Sequence, residues 1–431
     1  MPAELLQYLV PSTFDARAVS HSFRGVARPN VNVTLGSLHG DRIIPEYGDD
    51  EDEDDFGVNP DDLDSLQRAL GWANVVSVSV NPCLWRSGEM LVDHPDEWDA
   101  LLHVLQQCTS IVTLDLGSDS AEELYMYGNQ IAKLAAILPQ LPKLRNLYLN
   151  ENEIEQGTRE LLNVLPQCTS LSRLDLSENY LCTKDMEDLM NSMQRCTHIK
   201  ELIIDNNHVL LRDAEMVIPT SNLSLTRLSL NALEIAHMDQ DMEWLAGVLR
   251  HCPSLTSLAL NEDTLSFHID DMENVSAALS SCTRLTWLDI SDNDVRESIQ
   301  ELFAVLPQLP LLQYFNIENG SEMDRNDFLT LNGVLGRCTS LTSLNIGGKT
   351  PGGEYSNLFV QLRSNCPLKK LYLRNTGLAD HNHIERLILT LPAFTSLQML
   401  DVSGNRLRHD QITRLEESKS PAQRDNLEII Y

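Results

Sequence analysis

The chain has 431 residues, 42% of them hydrophobic, which is ample for a large core. Its 63 acidic residues against 32 Lys and Arg give a net charge of −31, a balance that repels nucleic acid and anionic membranes and favours basic partners. No stretch is apolar over the length of a membrane span, and the opening Met-Pro-Ala-Glu-Leu-Leu lacks the basic start of a secretory signal.

Residues 1–30 stand apart from the rest. They contain Pro2-x-Glu4-Leu5-Leu6-x-x-Leu9 and then Val19-Ser20-His21-Ser22-Phe23-Arg24-Gly25-Val26-Ala27. The segment resembles an F-box, which opens on a P-x-E-L-L helix and closes on a V-S-x-x-W/F-R-x-L/V-A helix. The resemblance implies that Pro2, Leu5, Leu6, Leu9, Val19 and Phe23 dock on a Skp-type adaptor of a cullin ubiquitin ligase. The spacing from Pro2 to Phe23 is shorter than usual for that family, and phenylalanine stands where tryptophan is commoner. The alternative is a terminal cap, which a solenoid needs to cover its first apolar face.

Residues 31–71 hold Val33-x-Leu35, which reads as a first strand, and the unbroken acidic run Asp49–Asp55. Like charges repel, so the run reads as a disordered insertion. It either solubilises the chain or tethers a partner rich in lysine and arginine.

From residue 72 to residue 431 the chain repeats itself. Cys168–Leu176, Cys282–Ile290 and Cys338–Ile346 share the phrase Cys-Thr-x-Leu-x-x-Leu-x-Leu/Ile. Aligned on the second leucine, the positions are Val78, Leu114, Leu147, Leu174, Leu202, Leu228, Leu258, Leu288, Phe315, Leu344, Leu371, Leu400 and Leu427. The alternating leucines predict a short strand with one buried face, and stretches such as Glu160–Leu165 and Leu302–Leu306 carry apolar residues at helical spacing. One such unit cannot bury its apolar face, but stacked units can. The pattern resembles the ribonuclease-inhibitor-like class of leucine-rich repeat. The predicted fold is α/β: a leucine-rich repeat solenoid (horseshoe) of about 13 repeats, with a parallel concave sheet and convex helices.

Two further columns follow the same register. Cys108, Cys168, Cys196, Cys252, Cys282 and Cys338 share one slot before the strand, as small buried thiols rather than disulfides or zinc ligands. That usage predicts a reduced protein of the cytoplasm or nucleus. Asn152, Asn179, Asn207, Asn293 and Asn405 share the position after the strand, where an amide can bond the turn's backbone; Leu233, Gly320, Lys349 and Thr376 replace it elsewhere.

Side chains beside the strand leucines face away from the core. Tyr148, Asp175, Glu178, Asp205, Glu262, Trp287, Asp289, Asp292, Tyr314, Glu318, Tyr372 and Arg374 are the candidate partner-binding residues. Trp287 and Tyr314 fall at equivalent positions of adjacent repeats, which predicts rings about 5 Å apart. Exposed Trp and Tyr are frequent binding hot spots, and acids around them suit a partner with a basic surface. Lys370, Tyr372 and Arg374 form a separate, mildly basic patch.

Nothing points to an enzyme or a cofactor. Gly347–Gly353 contains Gly-Lys-Thr, but Ser343 stands where a phosphate loop needs its first glycine. Asp380-His381-Asn382-His383 reads as the polar entry to a helix rather than a metal site, and Trp98 and Trp244 as core. The function expected is a protein-interaction module, either the substrate receptor of a ubiquitin ligase or a plain scaffold or inhibitor similar to ribonuclease inhibitor. A third reading, a GTPase-activating protein similar to the Ran-specific one, fits less well, because that protein carries its acidic run at the other end.

Overall fold

A computed structural model describes residues 30–35, 74–80, 95–117, 126, 128–152, 154–207, 218–233, 239–261, 269–293, 299–319, 323, 325–348 and 367–431. The F-box-like residues Pro2, Leu5, Leu6, Leu9, Val19 and Phe23, the acidic run Asp49–Asp55 and Glu262 lie outside them. The chain forms two compact units, residues 1–203 and 204–431.

The first unit contains strands β1 (Asn30–Leu35), β2 (Asn74–Val80), β3 (Thr113–Asp115), β4 (Asn146–Tyr148), β5 (Arg173–Asp175) and β6 (Glu201–Ile203). Each pairs in parallel with the next. Helices α1 (Pro95–Gln107), α2 (Gly128–Ile137), α3 (Thr158–Val164) and α4 (Thr183–Met193) connect them. In α1, Trp98, Leu101, Leu102 and Leu105 are buried, as the 3.6-residue period requires of one face.

The second unit runs β7 (Arg227–Ser229), α5 (Asp239–Arg250), β8 (Ser257–Ala259), α6 (Ile269–Leu279), β9 (Trp287–Asp289), α7 (Ile299–Val305), β10 (Tyr314–Asn316), α8 (Arg325–Leu335) and β11 (Ser343–Asn345). It continues with β12 (Lys370–Tyr372), α9 (His381–Thr390), β13 (Met399–Asp401), α10 (His409–Glu417) and β14 (Glu428–Ile430). Leu228, Leu258, Leu288, Phe315, Leu344, Leu371 and Leu400 pair in register, one per strand. Both units are leucine-rich repeat solenoids, and the aligned residues from Leu114 to Leu400 are each at most 1% exposed.

The last aligned position needs correction. Leu400 pairs with Ile429, not Leu427. A run of turns over residues 421–426 precedes β14, so the strand arrives two residues later than the leucine spacing implied.

Proline sets the length of several helices. In Leu138-Pro139-Gln140, Leu165-Pro166-Gln167, Leu306-Pro307-Gln308 and Leu391-Pro392-Ala393, the helix tightens to a 3-10 turn. Proline has no N–H to continue the α ladder. The cysteine slot follows shortly after: Cys168 donates its N–H to the Leu165 carbonyl at 3.0 Å. Cys108, Cys168, Cys196, Cys252, Cys282 and Cys338 are all buried free thiols. Burial pushes Cys108, Cys282 and Cys338 up to about 11, and pushes Cys168 and Cys252 up to about 12, each of the last two helped by a neighbouring cysteine. Such thiols are protonated and unreactive at neutral pH.

The asparagine column bonds the turns as expected. Asn152 Nδ2 donates to the carbonyls of Leu116, Leu149 and Asn150, and Asn293 Nδ2 to those of Leu260, Ile290 and Ser291. One feature was not legible beforehand: the residue just before this column is left-handed in repeat after repeat. Glu151, Glu178, Asn206, Ala232, Asp292, Asn319 and Asn375 have φ between 47° and 56°. Glycine does the same at Gly348 and Gly404, both at φ 71°. The strain, about 1 kcal/mol per non-glycine residue, is offset by backbone bonds to the next repeat, such as Asp292 N–H to the Glu318 carbonyl at 2.9 Å.

Candidate functional site

The exposed sheet face of the second unit carries the aromatic pair. Trp287 and Tyr314 are register partners on β9 and β10, and their rings stack with centroids 5.1 Å apart and planes 7° from parallel. The strand spacing places them so, because side chains at equivalent positions repeat at the inter-strand distance. Burial pushes the Tyr314 hydroxyl up to about 12, with Asp289, Tyr372 and Glu318 adding to the effect.

The next two register partners are Ser343 on β11 and Lys370 on β12. Beside the stack they form a cleft of about 330 Å³, walled also by Thr286, Gln313, Thr342, Lys369, Tyr372 and Gln398. Ser343 is the smallest residue in this row. It is 8% exposed, shielded by taller neighbours, and its Oγ has no hydrogen-bond partner. Lys369 and Lys370 are exposed and form no ion pair with any described residue.

The acids flanking the pair are engaged within the sheet. Asp289 is 7% exposed and accepts bonds from Asn316 Nδ2, Ser291 N–H and Ser291 Oγ. Glu318 accepts from Asn345 Nδ2 at 2.7 Å, and Asp292, a left-handed turn residue, from Asn319 Nδ2 at 2.9 Å. Asp205 accepts from Ser229 Oγ and from the backbone and side chain of Asn231. Arg374 lies over the Tyr372 ring and donates to Asp401 at 2.6 Å, so the basic character of this end comes from Lys369 and Lys370.

Tyr148, Asp175 and Glu178 belong to the first unit. Arg173 lies over the Tyr148 ring at 5.2 Å and pairs with Glu201 at 3.3 Å. Asp175 accepts from the backbone and hydroxyl of Ser177, and Glu178 is an exposed, left-handed turn residue.

The other sequence features resolve simply. Asp380 caps α9, accepting from the Asn382 N–H at 2.9 Å. Trp98 and Trp244 are buried. Gly347 and Gly348 follow β11, while residues 349–353 lie outside the described residues. Among the described residues, no group of three or more His, Cys, Asp and Glu side chains is placed to hold a metal, and no helix is long and apolar enough to cross a membrane.

Of the residues that line this cleft, the sequence singles out Trp287, Tyr314, Lys370 and Tyr372 but not Ser343 or Lys369. Both had a signal. Lys369-Lys370 is the only adjacent lysine pair in the chain, and Ser343 is the one small residue in a column that reads Trp, Tyr, Ser, Lys, Met.

No protein-family description matches the chain, and no curated protein matches it. Among solved structures, an internalin of Listeria monocytogenes is similar at 15% identity and a TM-score of 0.41, over 85% of this chain and 82% of that one.

Proposed function

We propose that this protein is a non-catalytic interaction module that holds a partner protein against the exposed face of β9–β12. The stacked Trp287–Tyr314 pair, half-buried at the edge of an open cleft, carries this reading. Large aromatic side chains next to a pocket are the usual centres of binding energy, and a leucine-rich repeat face is an extended surface suited to a macromolecule. The net charge of −31 favours a partner that is basic over most of its contact area. At the cleft itself the sign is set by Lys369 and Lys370. Affinity capture followed by titration of the recovered partner tests the reading. Trp287→Ala should weaken binding about 30-fold, which is about 2 kcal/mol, with circular dichroism unchanged. Unchanged affinity moves the site away from β9–β12.

The ligase-receptor reading rests on the sequence of residues 1–30. The same capture, done with the Leu5→Ala/Leu6→Ala double variant, separates it from a plain scaffold. A receptor loses a Skp-type adaptor from the captured set and keeps its target. A scaffold shows no adaptor with either chain.

A further inference from the structure

The row of side chains across β9–β12 reads Trp287, Tyr314, Ser343, Lys370, one residue per strand in strict register. The first two rings stack at the strand repeat, 5.1 Å between centroids. The third step holds only a hydroxymethyl group. The fourth holds an ammonium on a flexible stem. Neighbouring strands lie about 4.8 Å apart, so Tyr314 and Lys370 stand roughly 10 Å apart across Ser343. One planar ring fits that interval. Seated over Ser343, it continues the stack on Tyr314 and presents its other face to Lys370, within the ~6 Å range of a cation–π contact.

The charge and the polar groups narrow the occupant further. Lys369 and Lys370 have no ion pair among the described residues, in a chain that is otherwise strongly acidic. The acids nearest the stack, Asp289 and Glu318, accept from Asn316 and Asn345 and keep their charge, so an acidic segment has to approach from the side of Lys369 and Lys370. Ser343 contributes its small size rather than a hydrogen bond, since its hydroxyl is enclosed by its neighbours and has no partner among the described residues. A polyanion such as nucleic acid would meet the remaining negative surface, so two lysines select a short stretch of charge on a peptide rather than a phosphate chain.

We propose that the cleft over Ser343 is a socket for one aromatic side chain of a partner protein, carried on a segment whose flanking residues are Asp or Glu. The aromatic ring inserts between Tyr314 and Lys370, and the flanking carboxylates meet Lys369 and Lys370. This deepens the interaction-module reading and rests on it.

Fluorescence anisotropy with three labelled, end-blocked pentapeptides tests the socket: Asp-Glu-Tyr-Glu-Asp, Asp-Glu-Ala-Glu-Asp and Lys-Arg-Tyr-Arg-Lys. The acidic tyrosine peptide should bind saturably, at least tenfold tighter than either of the others. Ser343→Phe, which fills the socket, and Lys370→Glu, which reverses its charge, should each weaken it tenfold or more. Lys370 is exposed and Ser343 faces the same side of the sheet, shielded by its neighbours, so an unchanged circular dichroism spectrum checks the fold. No saturable binding of the acidic tyrosine peptide, equal binding of the alanine peptide, or tighter binding of the basic peptide overturns the socket. If the basic peptide binds and Trp287→Ala abolishes it, the module reading stands and only the occupant is wrong. If no peptide binds and Trp287→Ala leaves a captured partner unaffected, both readings fall.

Discussion

The first unit and the second unit use the same repeat to opposite ends on their exposed faces. Across β3–β6 the row before the buried leucine reads Thr113, Asn146, Arg173, Glu201. Asn146 donates to Thr113 at 2.9 Å, Arg173 pairs with Glu201, and Arg173 also covers Tyr148. These side chains find partners in the adjacent repeats. Across β9–β12 the row begins with a stacked pair and then breaks: among the described residues the Ser343 hydroxyl has no hydrogen-bond partner and Lys370 has no ion pair. The first row is bonded from strand to strand apart from Arg173 Nε, and the second is joined only through its ring stack. The difference is what places the proposed binding face on β9–β12 rather than on β3–β6.

The open face is held in place from within. Asn405, in the turn after β13, serves two turns at once. Its Nδ2 donates to the carbonyls of Leu373 at 2.6 Å and Val402 at 2.8 Å, and its Oδ1 accepts from the N–H groups of Thr376 and Leu378. Thr376 occupies the asparagine position of the preceding repeat, and its hydroxyl donates to Leu373. It has no second donor with which to do more. Asn405→Ala therefore strands several buried backbone groups around β12 and β13, and each costs about 1–3 kcal/mol. The expected loss is about 3 kcal/mol, the largest of any single change considered. Because each repeat contacts only its neighbours, hydrogen exchange should speed up around β12–β14 and leave the first unit unaffected. Uniform destabilisation of both units would contradict this.

How far was this legible in the sequence? The stack was, because Trp287 and Tyr314 occupy one register position and strand spacing fixes their separation. The asparagine column was too, since a short amide carries two donor hydrogens and an acceptor and so can serve several turn groups at once. The use of the acids was not. Asp289, Glu318 and Asp205 look like free charges in the sequence, but their donors are Asn and Ser residues two positions along or one repeat on, a pairing visible only once the strands are stacked. Nor were the left-handed turns, since Glu151, Glu178 and Asp292 carry no glycine signal and owe their conformation to backbone bonds with the next repeat. Ser343 escaped notice because a gap is defined by its neighbours rather than by its own side chain.

Asp401 gives the next largest effect and a pH dependence. Its side chain is fully buried and accepts from Arg374 Nε at 2.6 Å and from Ser403 N–H at 3.0 Å. Burial by itself would raise the carboxyl, but the bonds from Ser403 and Arg374 outweigh it and hold it below the usual carboxylate value. A depressed folded-state value adds stability above the unfolded value of about 3.9 and loses it as the pH falls through the folded one. Asp401→Asn should cost about 2 kcal/mol at pH 7, in line with charge-assisted hydrogen bonds. In urea denaturation the gap between variant and wild type should narrow below about pH 4. A gap that stays constant from pH 7 to pH 3 would show that the charge is not what Asp401 contributes.

The smallest effect tests the comparison most directly, because it exchanges equivalent positions. Arg173 on β5 and Lys370 on β12 both stand just before the buried leucine of their strand. Arg173 has an ion pair 37% exposed on the Glu201 side and a ring beneath it. An exposed pair contributes about 0.5 kcal/mol and a surface cation–π contact about as much again, so Arg173→Ala should cost the first unit about 1 kcal/mol, less at high salt. Lys370 has neither contact to lose. Lys370→Ala should therefore leave stability within about 0.5 kcal/mol of wild type, while removing a charge assigned to the proposed partner contact. The signature of the open face is that pairing of outcomes: one cation whose loss is felt in unfolding and not in binding, and one whose loss is felt in binding and not in unfolding. If Lys370→Ala destabilises the second unit as much as Arg173→Ala destabilises the first, the lysine is a structural residue, and the two faces differ only in composition.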